Sequence, residues 1–197
     1  MKRNLIALAL FAATSALALA DDAPRAEADT QRNVNQQERI EQGLESGELN
    51  TKEASRLERQ QTAIERTEAN ALEDGKITRR EQNVIQAEQN QASRSIYRQK
   101  HDAQAGNPDS ASSQRMQADV ERNANQQARI NQGIESGELT NREAAELERG
   151  QARVTRAEAN AGADGHVGAH EQANVQAREN RQSNKTYRRK HNAKKRD

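Results

Sequence analysis

Residues 45–53 read Glu45-Ser46-Gly47-Glu48-Leu49-Asn50-Thr51-Lys52-Glu53, and ninety residues later the same boundary returns as Glu135-Ser136-Gly137-Glu138-Leu139-Thr140-Asn141-Arg142-Glu143. Gly47 and Gly137 can take the left-handed conformation that closes a helix C-terminus. Asn50 or Thr140 then offers a capping side chain, with Glu53 or Glu143 three residues on to reach back to the cap, and Leu49 or Leu139 sits where a hydrophobic staple belongs. The stretch is therefore a helix end followed at once by a helix start, which predicts an all-α chain. The same grammar recurs at Asp74-Gly75, followed by Ile77 and then Thr78-Arg79-Arg80-Glu81.

Working outward, residues 32–103 align on residues 122–193 without a gap, and about 38 of the 72 pairs are identical. The unit is duplicated. Ala, Glu, Gln and Arg dominate it and aromatic residues are sparse, a helix-forming composition. Each unit is expected to hold three helices, at roughly 30–45, 50–72 and 78–101, repeated at 120–135, 140–162 and 168–191. The expected fold is two tandem antiparallel three-helix repeats joined by a flexible linker. Residues 104–119, with Gly106, Pro108 and a Ser cluster, read as that linker; residues 21–31, rich in Asp and Ala with Pro24, read as a disordered leader; the second unit then spans 120–193 and a basic tail 194–197.

Residues 1–20 have the form of a secretory signal. Lys2 and Arg3 precede an apolar run, and Ala18-Leu19-Ala20 supplies the small-x-small pattern, so cleavage is expected near Ala20 and the chain is expected to be periplasmic or secreted. No later stretch has the ~20 apolar residues of a membrane span, and there is no Cys for a disulfide. Lys+Arg and Asp+Glu nearly balance, 31 against 30, which argues against generic nucleic-acid affinity.

The middle helix carries a narrow stripe, Ala54, Leu57, Gln61, Ile64, Glu68, Ala71, whose copy reads Ala144, Leu147, Gln151, Val154, Glu158, Ala161. Even the polar members recur. Large apolar residues are few, so slim, marginally stable hairpins are expected, firmed by self-association into a homo-oligomer or by a partner.

The Gly-x-apolar-x-x-x-Glu turns resemble the second half of an EF-hand loop, whose Gly stands at the sixth place and bidentate Glu at the twelfth. The best matches run from Asn70 through Asp74 to Glu81 and from Asn160 through Asp164 to Glu171, which are the candidate calcium ligands. Leu72 and Gly162 stand at the third ligand place without a side-chain oxygen. Capped turns explain the same residues with fewer assumptions, so no cofactor is expected and weak calcium binding is the alternative.

The charge asymmetry lies at the C-terminus, where Lys185, Arg188, Arg189, Lys190, Lys194, Lys195 and Arg196 form a candidate polyanion-binding tail. No Cys nucleophile, Gly-x-Ser-x-Gly or phosphate-cradling glycine loop is present, and no enzyme activity is expected. The unit Arg-Ile-x-x-Gly-Ile/Leu-Glu-Ser-Gly-Glu-Leu, closed by Tyr-Arg-x-Lys-His, resembles small exported bacterial helical-repeat proteins over residues 32–103 and 122–193. That resemblance implies export and a helical repeat and no activity. The reading is a non-enzymatic helical binding or structural protein of the bacterial envelope, whose partner is an envelope protein or an anionic polymer.

Overall fold

The computed structural model describes residues 22–195. The signal segment 1–20 and Arg196 lie outside the described residues. Among the described residues there are six helices and no strand: α1 (Asp22–Ser46), α2 (Thr51–Ala71), α3 (Arg79–Lys100), α4 (Ala111–Glu135), α5 (Asn141–Ala161) and α6 (Ala169–Lys190). The chain is all-α, and no described helix is long and apolar enough to cross a membrane.

The punctuation acts as the residues dictate. Gly47 and Gly137 have φ of 76° and 70°, a region that side chains other than glycine's enter at a cost. At the next helix start, the Asn50 side chain accepts from the Glu53 amide at 3.0 Å and the Glu53 carboxylate accepts from the Asn50 amide at 3.0 Å. Thr140 and Glu143 repeat the exchange at 3.3 and 3.2 Å. Each box satisfies two donors that a helix leaves orphaned.

The expected leader and linker need correction. Helix α1 already begins at Asp22, with Pro24 in the first turn, where its missing N–H breaks no bond. Helix α4 begins at Ala111, capped by Ser110, whose hydroxyl accepts from the Ser113 amide at 3.1 Å. Pro24 and the Ser cluster are thus helix starts rather than breakers. The added turns are themselves repeated: Arg25 donates to the Ile77 carbonyl at 3.0 Å and Arg115 to the Val167 carbonyl at 2.9 Å, and Asp29 and Asp119 are both buried. The connection from α3 to α4 is also bound in place. The Gly106 amide donates to the Gly47 carbonyl at 2.8 Å, and Gln117 donates to the carbonyls of Pro108 and Leu44 at 3.1 and 3.3 Å.

The largest helix contacts run between the copies, α1 against α4 and α2 against α5. Both pairs are antiparallel. Asn131 reaches Gln31 while Gln117 reaches Leu44, and Ser55 donates to the Ala159 carbonyl while Asn141 donates to the Gly75 carbonyl. Helix α3 lies against α1 and α2, and α6 against α4 and α5. Two apolar clusters result, and each draws on both copies. One joins Leu72, Ile77 and Ile85 to Ile130, Ile134, Leu139 and Leu147; the other joins Ile40, Leu44, Leu49, Leu57 and Ile96 to Met116, Val120, Val167 and Val175. Among the described residues each apolar cluster is thus shared between the copies.

Candidate functional site: a polar interior and two unlike grooves

The residues proposed as calcium ligands are used at helix boundaries. Asp74 accepts from the Lys76 amide at 2.9 Å, and Glu81 accepts from the Thr78 amide and hydroxyl at 2.8 and 2.7 Å. Asp164 accepts from the His166 amide at 2.8 Å and Glu171 from the Gly168 amide at 2.9 Å. Asn70 and Asn160 are exposed at the ends of α2 and α5. Among the described residues no group of three or more His, Cys, Asp or Glu is placed to hold a metal ion.

The basic tail is largely engaged with its own chain. Arg189 pairs with Glu146 at 2.5 Å and Glu143 at 3.8 Å. Lys190, almost buried, pairs with Glu138 at 3.3 Å and donates to Gln132 at 2.8 Å. Lys195 donates to the Lys190 carbonyl at 3.3 Å. Arg188 donates to the Asn184 carbonyl of its own helix at 3.4 Å, and Lys194 is exposed. Just before them, Tyr187 stacks on His191 at 4.1 Å, as Tyr97 does on His101.

Between the two apolar clusters the interior is polar. Glu58, Glu65, Glu68, Glu148 and Glu158 are at most 2% exposed, and their donors are amides and a hydroxyl. Asn33 donates to Glu68 at 2.6 Å and Asn123 to Glu158 at 2.9 Å. Gln37 donates to Glu58 at 3.1 Å and Gln127 to Glu148 at 3.2 Å. The copies also differ here: Glu65 on α2 faces its own counterpart Thr155 on α5, whose hydroxyl donates to it at 3.0 Å, with Gln127 adding a bond at 3.1 Å, and Gln89, which donates to Glu68 at 3.1 Å, is matched by buried Glu179. The second oxygens of Glu58, Glu65, Glu148 and Glu158 find no partner. Burial disfavours the charged form and pushes Glu58 up to about 8 and Glu148 up to about 7. Glu65, Glu68 and Glu158 are raised well above the usual carboxylate range, by burial first and then by neighbouring acids, Glu148 and Glu58 at Glu65, Glu148 and Asp29 at Glu68, Glu58 and Glu179 at Glu158. The whole layer is thus shifted by burial toward the protonated, uncharged form of its carboxyls, set among amides. It is sealed from solvent, which makes it structural chemistry rather than a place for a substrate.

The outer surface is different. Each copy has a groove between its second and third helices, of about 210 Å³ in the first copy and about 200 Å³ in the second. The first is lined by Gln60, Ala63, Ile64, Glu88 and Gln91. The second is lined at the same places by Gly150, Arg153, Val154, Arg178 and Arg181, with Gln182 and Lys185 beside them. Two grooves alike in shape and place thus differ in charge. Burial lowers the Lys185 ammonium below the usual lysine range; Glu146 opposes this, while Arg189 and Arg153 add to it.

The sequence reading reached this groove only through Lys185. Gly150, Arg153, Arg178 and Arg181 escaped because the repeat was read for identities; the signal lay in the positions where the copies disagree. Comparison of the chain with family models, curated proteins and solved structures finds no match.

Proposed function

We propose that the chain is an exported, non-enzymatic helical binding protein of the bacterial envelope, built of two three-helix units, and that its ligand is an anionic polymer held on the outer face of the second unit. The observation that carries the reading is a stripe on α6. Arg178, Arg181, Lys185 and Arg188 follow one another at spacings of three and four, hence on one side of the helix, over ~15 Å of its length. The matching positions of α3 are Glu88, Gln91, Ser95 and Arg98. A row of cations on a rigid helix suits a linear partner with closely spaced phosphates, sulfates or carboxylates.

Salt-dependent retention on heparin and on immobilised lipopolysaccharide tests it. Retention at low ionic strength is expected, lost when Arg178, Arg181 and Lys185 are replaced by the Glu, Gln and Ser of the first copy. No retention at low salt, or retention untouched by those replacements, would overturn the proposal. Charge replacement is preferred to deletion of residues 185–197, which would also strip the contacts to Glu138, Glu143 and Glu146.

A further inference from the structure

The geometry points to a defined oxyanion seat inside that face: the groove between α5 and α6, lined by Arg153, Arg178, Arg181 and Lys185, takes a single phosphate-type group. The inference rests on reading this face as anion-binding, but it demands something a charged surface alone does not supply, a shaped and saturable site.

Three observations converge. The first is the direction of divergence. Gln60, Ala63, Glu88, Gln91 and Ser95 in the first copy stand opposite Gly150, Arg153, Arg178, Arg181 and Lys185 in the second. Four of these five changes make the lining more positive and the fifth removes a side chain, while a sixth, from Ala92 to Gln182, adds one. The residues behind the lining keep their kind, Leu57 with Leu147 and Gln61 with Gln151, and Ile64 answers to Val154 within the lining itself. The groove was recharged without being rebuilt.

The second is Gly150. It lies in the middle of α5, where glycine costs about 1 kcal/mol relative to alanine, and it is not among the glycines with positive φ. No backbone conformation therefore requires it. What its missing side chain admits is the amide of Gln182, which a Cβ there would strike and whose nitrogen is fixed by donation to the Leu147 carbonyl at 2.8 Å; the first copy has Gln60 and Ala92 at these places. The groove beside that pair keeps about 200 Å³ against about 210 Å³ in the first copy, below the ~300–1,000 Å³ of pockets for drug-sized ligands. It suits one compact tetrahedral group.

The third is uncompensated charge. Among the described residues, no carboxylate lies within ion-pair distance of Arg153, Arg178 or Arg181. The nearby acids are occupied elsewhere: Glu146 holds Lys185 at 3.7 Å and Arg189 at 2.5 Å, and Glu179 turns inward to Arg122 at 3.1 Å. Three guanidinium groups and a partly desolvated ammonium gathered around one groove repel one another. A dianionic oxyanion relieves that repulsion and matches the fork of donors that each guanidinium presents.

The test is titration of the full chain with inorganic phosphate, followed by NMR at the Gly150 amide and the arginine Nε–H groups, at constant ionic strength. Saturable shifts confined to α5 and α6 are expected, with sulfate competing and chloride not. Gly150→Gln keeps every cation and drives the Gln182 side chain from its place into the groove; with the helical signal and melt unchanged, phosphate affinity should fall at least tenfold while heparin retention persists. Arg153→Ala with Arg181→Gln, both exposed positions carrying first-copy residues, should weaken phosphate binding similarly without unfolding the chain. Conversely, Gln60→Gly, Ala63→Arg, Glu88→Arg and Gln91→Arg together should create a second phosphate site in the first copy. Phosphatidylcholine vesicles with and without phosphatidic acid identify the source. Displacement of phosphate by the acidic vesicles assigns a lipid-borne group, and failure to displace it assigns a soluble or glycan-borne one; either supports the seat. Shifts no larger than those from chloride, or affinity unchanged in Gly150→Gln and in the double variant, would overturn it. Heparin retention surviving that result would leave the polymer reading standing; loss of both would remove both.

Discussion

The two copies share a set of interior bonds and differ in the charge of one matched pair of outer grooves. Interior pairs such as Asn33 and Asn123, Gln37 and Gln127, or Glu58 and Glu148 are the same residues making the same bonds at nearly the same distances. The outer grooves share a volume and hold opposite linings. A duplicated chain thus carries its own control: retained pairs mark what packing requires, and divergent pairs on a shared shape mark what one copy does alone.

The comparison breaks most severely if the copies are separable. Leu57 and Leu147 are matched residues that lie in opposite apolar clusters, each beside partners from the other copy. Leu57→Ala and Leu147→Ala should each cost about 2–5 kcal/mol and lower a single cooperative transition in a calorimetric or urea melt. Two transitions, only one of them shifted by each variant, would show that the copies fold independently and that the interlocked packing is wrong.

The polar interior gives the next largest effect and a definite sign. A carboxyl whose folded pKa is raised binds its proton more tightly when folded, so its contribution is complete below the unfolded value of 4.5 and is lost as pH rises through the folded value. For Glu58 and Glu148 those values are about 8 and about 7, and the melting temperature should fall steadily from pH 5 to pH 8. Glutamine is the uncharged isostere of the protonated acid and keeps an acceptor for Gln37 or Gln127. Glu58→Gln and Glu148→Gln should therefore flatten the slope, each adding on the order of 3 kcal/mol at pH 8, at ~1.4 kcal/mol per pKa unit, and almost nothing at pH 4. Glu65→Thr, which makes the copies identical at this interior place, should act in the same direction. A melting temperature that rises with pH over this range would contradict the assignment of neutral carboxyls.

Much of the fold was legible because local chemistry decided it. Capping boxes and glycine stops placed α2 and α5 within a residue at each end, since those boundaries are set by side chains adjacent in sequence. The first turns of α1 and α4 were missed because Pro24 and Ser110 are ambiguous in isolation: each starts a helix or breaks one according to whether the residues after it find something to pack on. The polar members of the middle stripe, Gln61, Glu68, Gln151 and Glu158, recur in the sequence, yet they are buried by partners on other helices, Gln36, Asn33, Gln89 and Asn123, which periodicity within one helix cannot register. The groove was hidden for a related reason, being a difference between two surfaces that sequence identity averages away.

The smallest prediction concerns the caps themselves. Thr78 caps α3 with its hydroxyl, accepting from the Glu81 amide at 3.3 Å, whereas the matching Gly168 gives α6 no side-chain cap. Gly168 has φ of −77°, which any residue adopts, and a Cβ there would meet only the Glu171 carboxylate at 3.4 Å, an ordinary contact. Gly168→Thr should therefore stabilise the chain by a few tenths to about 1 kcal/mol, through the recovered cap and the smaller unfolded-state entropy. Thr78→Gly should lose a similar amount, measured by the same denaturant melts. Equal and opposite changes would mean that the two helix starts differ only by this side chain. A gain at Gly168 with no loss at Thr78 would instead place the stability of the α3 start in the Glu81 bond to the Thr78 amide, which the glycine retains.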